Sequence, residues 1–106
     1  MEYEEEQTVK AVSFINIIFG SGLILVQPNP AIVENQKALV FKLLDLDAGP
    51  GAGPGKSVEI KSQSAQWLNG PATQTFTPNG TQGNVYKYTV DIPGLGSLDP
   101  EVIFWW

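Results

Sequence analysis

The chain has 106 residues, 42% of them hydrophobic and 16% charged, with a formal net charge of -5; one modest core is within its reach and a second domain is not. All six cations are Lys, and there is no Arg, His or Cys. That composition excludes a disulfide framework, a thiolate nucleophile and a Cys-ligated metal, and it argues against a nucleic-acid surface, which needs clustered cations and preferably Arg forks.

Residues 1–7 carry four Glu and read as an acidic, disordered leader, with the domain proper expected over 8–106. This start is the reverse of a basic signal-peptide n-region, and no apolar stretch is long enough to span a bilayer. A cytoplasmic chain without membrane contact is therefore expected. From Thr8 to Phe19 the β-branched and aromatic content favours a strand over a helix. Phe14, Asn16 and Ile18 fall on one side of it, Ile15 and Ile17 on the other. Gly20-Ser21-Gly22 predicts a hairpin turn into Leu23–Gln27, because glycine takes positive φ without cost.

Pro28-Asn29-Pro30 then stops the ladder and forces a bend that lets the chain pass from one sheet toward the other. Ala31–Val33 resumes an extended segment, and Glu34 to Lys37 makes a polar turn. Ala38–Leu44 carries the strongest strand signal, with Leu39, Phe41 and Leu43 on one face and Val40, Lys42 and Leu44 on the other. It reads as a central strand.

Asp45 to Lys56 is a Gly- and Pro-rich loop, expected to be flexible. Its glycines lack the strand-loop-helix setting of a phosphate cradle. Asp45 and Asp47 have the spacing that opens a calcium loop, but Lys56 stands where the bidentate Glu would be, so a solvated carboxylate pair is the simpler reading. Ser57–Ser62 alternates Val58 and Ile60 with Glu59 and Lys61, the latter two expected to form a surface ion pair. Trp67, in an irregular stretch, is either a core plug with its N–H on a backbone carbonyl or an exposed binding ring.

Ala72–Thr77 is a short Thr-rich strand anchored by Phe76, and Pro78-Asn79-Gly80 is a turn. Asn79-Gly80-Thr81 matches the glycosylation sequon, relevant only to a secreted eukaryotic chain. Val85–Ile92 is a strand with Tyr86, Tyr88, Val90 and Ile92 on one face and Lys87 and Asp91 on the other. Leu98 to Trp106 closes the sequence with alternating large apolar residues. Seven or eight strands with no helix predict an all-β fold, a two-sheet antiparallel Greek-key sandwich.

Leu25 to Val33 followed by Leu39 to Phe41, then Val85 to Val90, then Leu98 to Ile103, resembles small bacterial domains of the cupredoxin-like type, relatives in shape of plastocyanin and azurin. An immunoglobulin-like sandwich gives a similar string. The cupredoxin resemblance implies a blue-copper site of two His, one Cys and usually a Met. Here there is no His or Cys, and the one Met is Met1, so that copper site cannot form and no cofactor or metal is expected.

Catalysis is not expected either. Ser13, Ser57 and Ser62 have no evident activating partner, and Asp99 before Pro100 is a turn former. The expected role is a non-catalytic structural or protein-interaction module. Phe104, Trp105, Trp106 and Trp67 are its candidate interaction surface, and the C-terminal strand mediates self-association or binds another protein. The alternative is a carbohydrate or small-ligand module stacking its ligand on Trp67, Trp105 and Tyr86 or Tyr88.

Overall fold

A computed structural model describes residues 11–48 and 57–104. The acidic leader, most of the Gly/Pro loop, Trp105 and Trp106 lie outside the described residues. The fold is all-β and sandwich-like, with no helix among the described residues.

Eleven short strands take part: β1 (Phe14–Gly20), β2 (Leu23–Gln27), β3 (Ala31–Val33), β4 (Leu39–Asp45), β5 (Glu59–Lys61), β6 (Gly70–Pro71), β7 (Thr75–Phe76), β8 (Val85–Lys87), β9 (Thr89–Ile92), β10 (Gly96–Leu98) and β11 (Glu101–Phe104). The excess over eight has three sources: the Val85–Ile92 run is cut into β8 and β9, Leu98 at the start of the last run falls in β10 apart from β11, and Gly70–Pro71 pairs as a short strand in a stretch that reads as irregular. Hydrogen bonding groups the strands into three sheets, ordered β2-β1-β4-β7, β10-β9-β5-β6 and β3-β11-β8. The expected purely antiparallel, two-sheet arrangement is corrected in two respects. β1 runs parallel to β4 and β3 parallel to β11, and the layer facing the first sheet is split in two.

That split falls at Tyr88. Val85–Lys87 pairs with β11 while Thr89–Ile92 pairs with β5 and β10, and between them the Tyr88 N–H donates to the carbonyl of Pro100 at 3.0 Å. One extended run therefore serves both sheets. The predicted corner at Pro28-Asn29-Pro30, whose two X-Pro bonds are cis, carries the chain from the first sheet (β2) to the third (β3). Asn29 fastens it there, its Oδ1 accepting the N–H of Glu101 at 3.0 Å. The predicted hairpin also forms. Ser21 and Gly22 both have positive φ, 53° and 76°, the signature of a two-residue turn whose twist matches that of the strands it joins.

Side-chain alternation decides what is buried. Ile15, Ile17 and Phe19 of β1, Leu39 and Phe41 of β4, Ile60 of β5, Val90 and Ile92 of β9, and Val102 and Phe104 of β11 all point into one core. Phe41 meets Phe76 and Tyr88 edge-on, with centroids 5.6 and 5.8 Å away; the Tyr88 contact joins the first sheet to the junction of the other two. At about 25 cal/mol per Å² of apolar surface, burial of these side chains is the main force holding the sheets together.

Candidate functional site

Each candidate residue has a definite place. Phe104, expected on an interaction surface, is fully buried. Its ring lies edge-on between Trp67 and Tyr86, with centroids at 5.7 and 5.5 Å, and Gly80 abuts it so closely that a Cβ there would come within 2.8 Å of the ring. This corrects the surface assignment. Alternation along β11 says that Phe104 and Val102 share a face but not which face points inward, and packing turns theirs to the core. Trp67 is half-buried and packed on the core, which is the plug reading. Its indole N–H, however, finds no hydrogen-bond partner among the described residues, contrary to the expected backbone carbonyl. Trp105 and Trp106 lie outside the described residues.

Of the rings proposed for sugar stacking, Trp67, Tyr86 and Tyr88 lie among the described residues. Tyr88 is 1% exposed, and Tyr86 and Trp67 both pack edge-on against Phe104. Burial pushes the Tyr88 hydroxyl well above its ordinary pKa of 10.0, because the phenolate would lose its hydration in the core. The oxygen has no hydrogen-bond partner among the described residues.

Asp45 and Asp47 bind backbone. Alternation along β4 turns Asp45 inward beyond Leu43, and its Oδ1 accepts the Asp47 N–H at 3.0 Å. The Asp47 carboxylate reaches the β1–β2 turn, accepting the Ser21 N–H at 3.1 Å and the Ser21 hydroxyl at 3.3 Å. Among the described residues no group of three or more acidic, His or Cys side chains is placed to hold a metal ion. Ser62 is likewise structural, its hydroxyl donating to the Lys87 carbonyl at 2.7 Å and accepting the Ala65 N–H at 3.0 Å.

Lys61 pairs with Asp91 at 3.3 Å, replacing the expected partner Glu59. Strand register explains the change: Glu59 lies directly opposite Asp91, so the lysine two residues on reaches diagonally across the ladder. This pair lies in an open polar cleft of about 820 Å³ that also takes in Ser62, Lys87, Thr89 and Asp99. Thr89 donates its hydroxyl to Asp99 there at 2.7 Å.

The feature that sequence reading passed over is the outer face of the first sheet. Four of the six exposed large hydrophobic side chains among the described residues belong to it, Phe14, Leu23, Leu25 and Leu44, and a fifth, Leu46, follows β4 and lies beside Gly20. Phe14 and Leu44 are 48% and 50% exposed. Half-buried Ile18 and Val40 lie among them. The register sets Leu25, Ile18 and Leu44 in one row across β2, β1 and β4, and Gln27, Asn16 and Lys42 in the next. The Lys42 ammonium folds over the Phe14 ring, 4.2 Å from its centroid, a cation-π contact. The signal is the near-continuous apolar content of 14–19, 23–26 and 39–44, which leaves neither face of these strands mainly polar.

Comparison of the chain with protein-family models, with curated proteins and with solved structures gave no significant match.

Proposed function

We propose that this domain is a non-catalytic protein-interaction module, a copper-free relative of cupredoxin-like sandwiches, that acts through the outer face of its first sheet. One observation carries the reading: the exposed apolar side chains concentrate on that face, whereas isolated exposed leucines would be scattered. Exposed apolar side chains gathered on one face, unlike single scattered ones, mark a contact surface. The segments that carry the cupredoxin resemblance form β2, β3, β4, β8, β9 and β11. The absence of His and Cys from the sequence supports a role without that copper site.

The test is solvent accessibility of the leucine methyl groups in dilute solution, read as broadening of their NMR signals by a soluble nitroxide. The expected result is strong broadening of Leu23, Leu25, Leu44 and Leu46 beside a protected Leu39 and Leu68. Protection of all of them in a species with the mass of one chain would mean that the face is covered from within, and the reading would fail.

Small-ligand binding is a second reading, favoured by the polar cleft at Lys61 and Asp91, whose volume falls in the range of ligand sites. Titration with a panel of monosaccharides, followed through the backbone amides of Lys61, Ser62, Lys87 and Thr89, checks it. Shifts confined to those residues support this reading, and unchanged spectra dispose of it for these sugars.

A further inference from the structure

Asparagine followed by glycine is the dipeptide in which the backbone most readily attacks a side chain, because the glycine nitrogen has no side chain crowding it and its backbone turns freely. The chain holds two such pairs, Asn69-Gly70 and Asn79-Gly80. Both asparagines are exposed, so access to solvent does not distinguish them. Their hydrogen bonds do.

The Asn69 amide is held at both ends. Its Oδ1 accepts the Ser62 N–H at 3.0 Å, and its Nδ2 donates to the carbonyls of Ser62 and Ala65 at 2.9 and 3.1 Å. To reach the Gly70 nitrogen this side chain must turn and give up those bonds, and Gly70 itself is tied into the β5–β6 ladder opposite Ile60. The Asn79 amide, by contrast, makes no hydrogen bond among the described residues. Only the backbone around it is restrained. The turn after β3 clasps the chain on either side: the Gln36 N–H donates to the Pro78 carbonyl at 2.7 Å, and the Gly80 N–H donates to Asn35 Oδ1 at 3.1 Å.

From this we infer that Asn79 is a site of spontaneous deamidation, selected over Asn69 by the fold and slowed by Asn35. The Gly80 nitrogen gives its proton to solvent base and attacks Asn79 Cγ. The new bond closes a succinimide ring, and the bond from Cγ to the side-chain nitrogen breaks, releasing ammonia. Water then opens the ring. Cleavage at Cγ leaves aspartate on an unaltered backbone, whereas cleavage at the Asn79 backbone carbonyl leaves isoaspartate, with the main chain running through Cβ and Cγ. Overall, amide and water become carboxylate and ammonium, with no change of oxidation state. While Asn35 holds the Gly80 N–H, that proton is not free to leave, so the bond must open first.

Isoaspartate carries the change inward. It adds a methylene to the main chain between the Pro78 carbonyl and the Gly80 N–H, which can then no longer both meet the turn at 35–36. Gly80 lies so close to the Phe104 ring that a Cβ would come within 2.8 Å, and Phe104 packs on Trp67. A reaction at an exposed loop thus disturbs the aromatic cluster.

The experiment is incubation of the full chain at neutral to mildly alkaline pH, folded and in guanidinium chloride, followed by peptide mapping with mass spectrometry. The map reads the mass gain of amide-to-acid conversion and separates isoaspartate from aspartate by retention. In denaturant both pairs should convert at similar rates. In the folded chain Asn79 should convert about tenfold or more faster than Asn69, whose bonds must break first. Asn35→Ala, checked for folding by thermal unfolding, should raise the folded-state rate at Asn79 by about two- to tenfold, and Asn35→Asp, which keeps an acceptor, should raise it less. The converted fraction should also unfold at lower denaturant than Asn79→Asp, which has the charge without the added methylene. The comparison of two sites within the wild-type chain needs no variant. Conversion at Asn69 as fast as at Asn79 in the folded chain overturns the inference, and so does an Asn79 that stays intact when folded while converting in denaturant. A folded Asn35→Ala chain that converts no faster overturns the part given to Asn35.

Discussion

The N–H of Ser21, at the tip of the β1–β2 hairpin, donates to Asp47 Oδ2 across 3.1 Å, and the Ser21 hydroxyl lies 3.3 Å from Oδ1 of the same carboxylate. A turn and a loop 26 residues apart are thus clasped by one exposed side chain. Replacing Asp47 with Ala removes both bonds and should cost about 0.5–1.5 kcal/mol. Asp47→Asn keeps an acceptor and should cost less. Urea denaturation midpoints, with an unchanged slope, measure the difference.

Gly80 is required by space rather than by backbone conformation. A Cβ at this position would approach Phe104 to 2.8 Å, and that ring is held between Trp67 and Tyr86. Gly80→Ala should therefore destabilise by about 1–3 kcal/mol through overpacking. Gly22→Ala is the comparison. Nothing lies within 4 Å of a Cβ there, so its cost, on the order of 1 kcal/mol, comes from the positive φ alone. If shaving Phe104 to Leu in the Gly80→Ala background recovers none of the loss, the steric account is wrong.

Tyr88 carries a pH signature. Its folded-state pKa lies above its ordinary value, so the unfolded chain releases the phenolic proton first as pH rises. Below pH 10 both states hold the proton and the group adds no pH dependence. Above pH 10 the unfolded state gains by ionising, and stability falls with a slope approaching about 1.4 kcal/mol per pH unit from this residue. Tyr88→Phe should flatten that alkaline loss relative to wild type. At neutral pH the variant should be neutral to stabilising by up to about 1 kcal/mol, since it removes a buried hydroxyl without a partner among the described residues. Denaturation series from pH 7 to 11 on both proteins test the claim.

The Lys61–Asp91 pair is largely solvated and should be worth less than about 1 kcal/mol. Lys61→Ala also leaves Glu59 directly opposite Asp91, so the cost should exceed that of an isolated surface lysine. Both contributions are Coulombic and should shrink in 1 M salt. A loss of stability that is equal at low and high salt would show that the lysine's methylene stem, and not its charge, carries the effect.

Much of the local structure was legible because two-residue alternation is a short-range property. Phe14–Gly20, Leu39–Asp45 and Val85–Ile92 turn inward the residues that alternation grouped together. The Gly20-Ser21-Gly22 turn and the Pro28–Pro30 corner announce themselves through backbone chemistry. Partner choice was not legible. Nothing near Lys61 reveals that Asp91, 30 residues on, will lie diagonally across from it, nor does anything near Ala31 foretell a parallel match with Val102. The site was misjudged for a related reason. Phe104 in an aromatic cluster and Phe14 in an apolar strand look equally fit for a core or a surface, and only the stacking of sheets separates them.

The parallel pairing of β3 with β11 also bears on how the protein comes into being. Val102, which faces Ala31, is 71 residues further along the chain. While the ribosome is still at work, β1, β2 and β4 can assemble from neighbouring sequence, but the third sheet cannot close until Glu101–Phe104 has been made. During that interval the inner face of the first sheet, with Ile17, Phe19 and Phe41, lacks the part of its opposing layer that the third sheet supplies. Non-local closure of this kind is slow, on the order of milliseconds to seconds. The incomplete core is therefore exposed for longer than that of a helical chain of equal length would be.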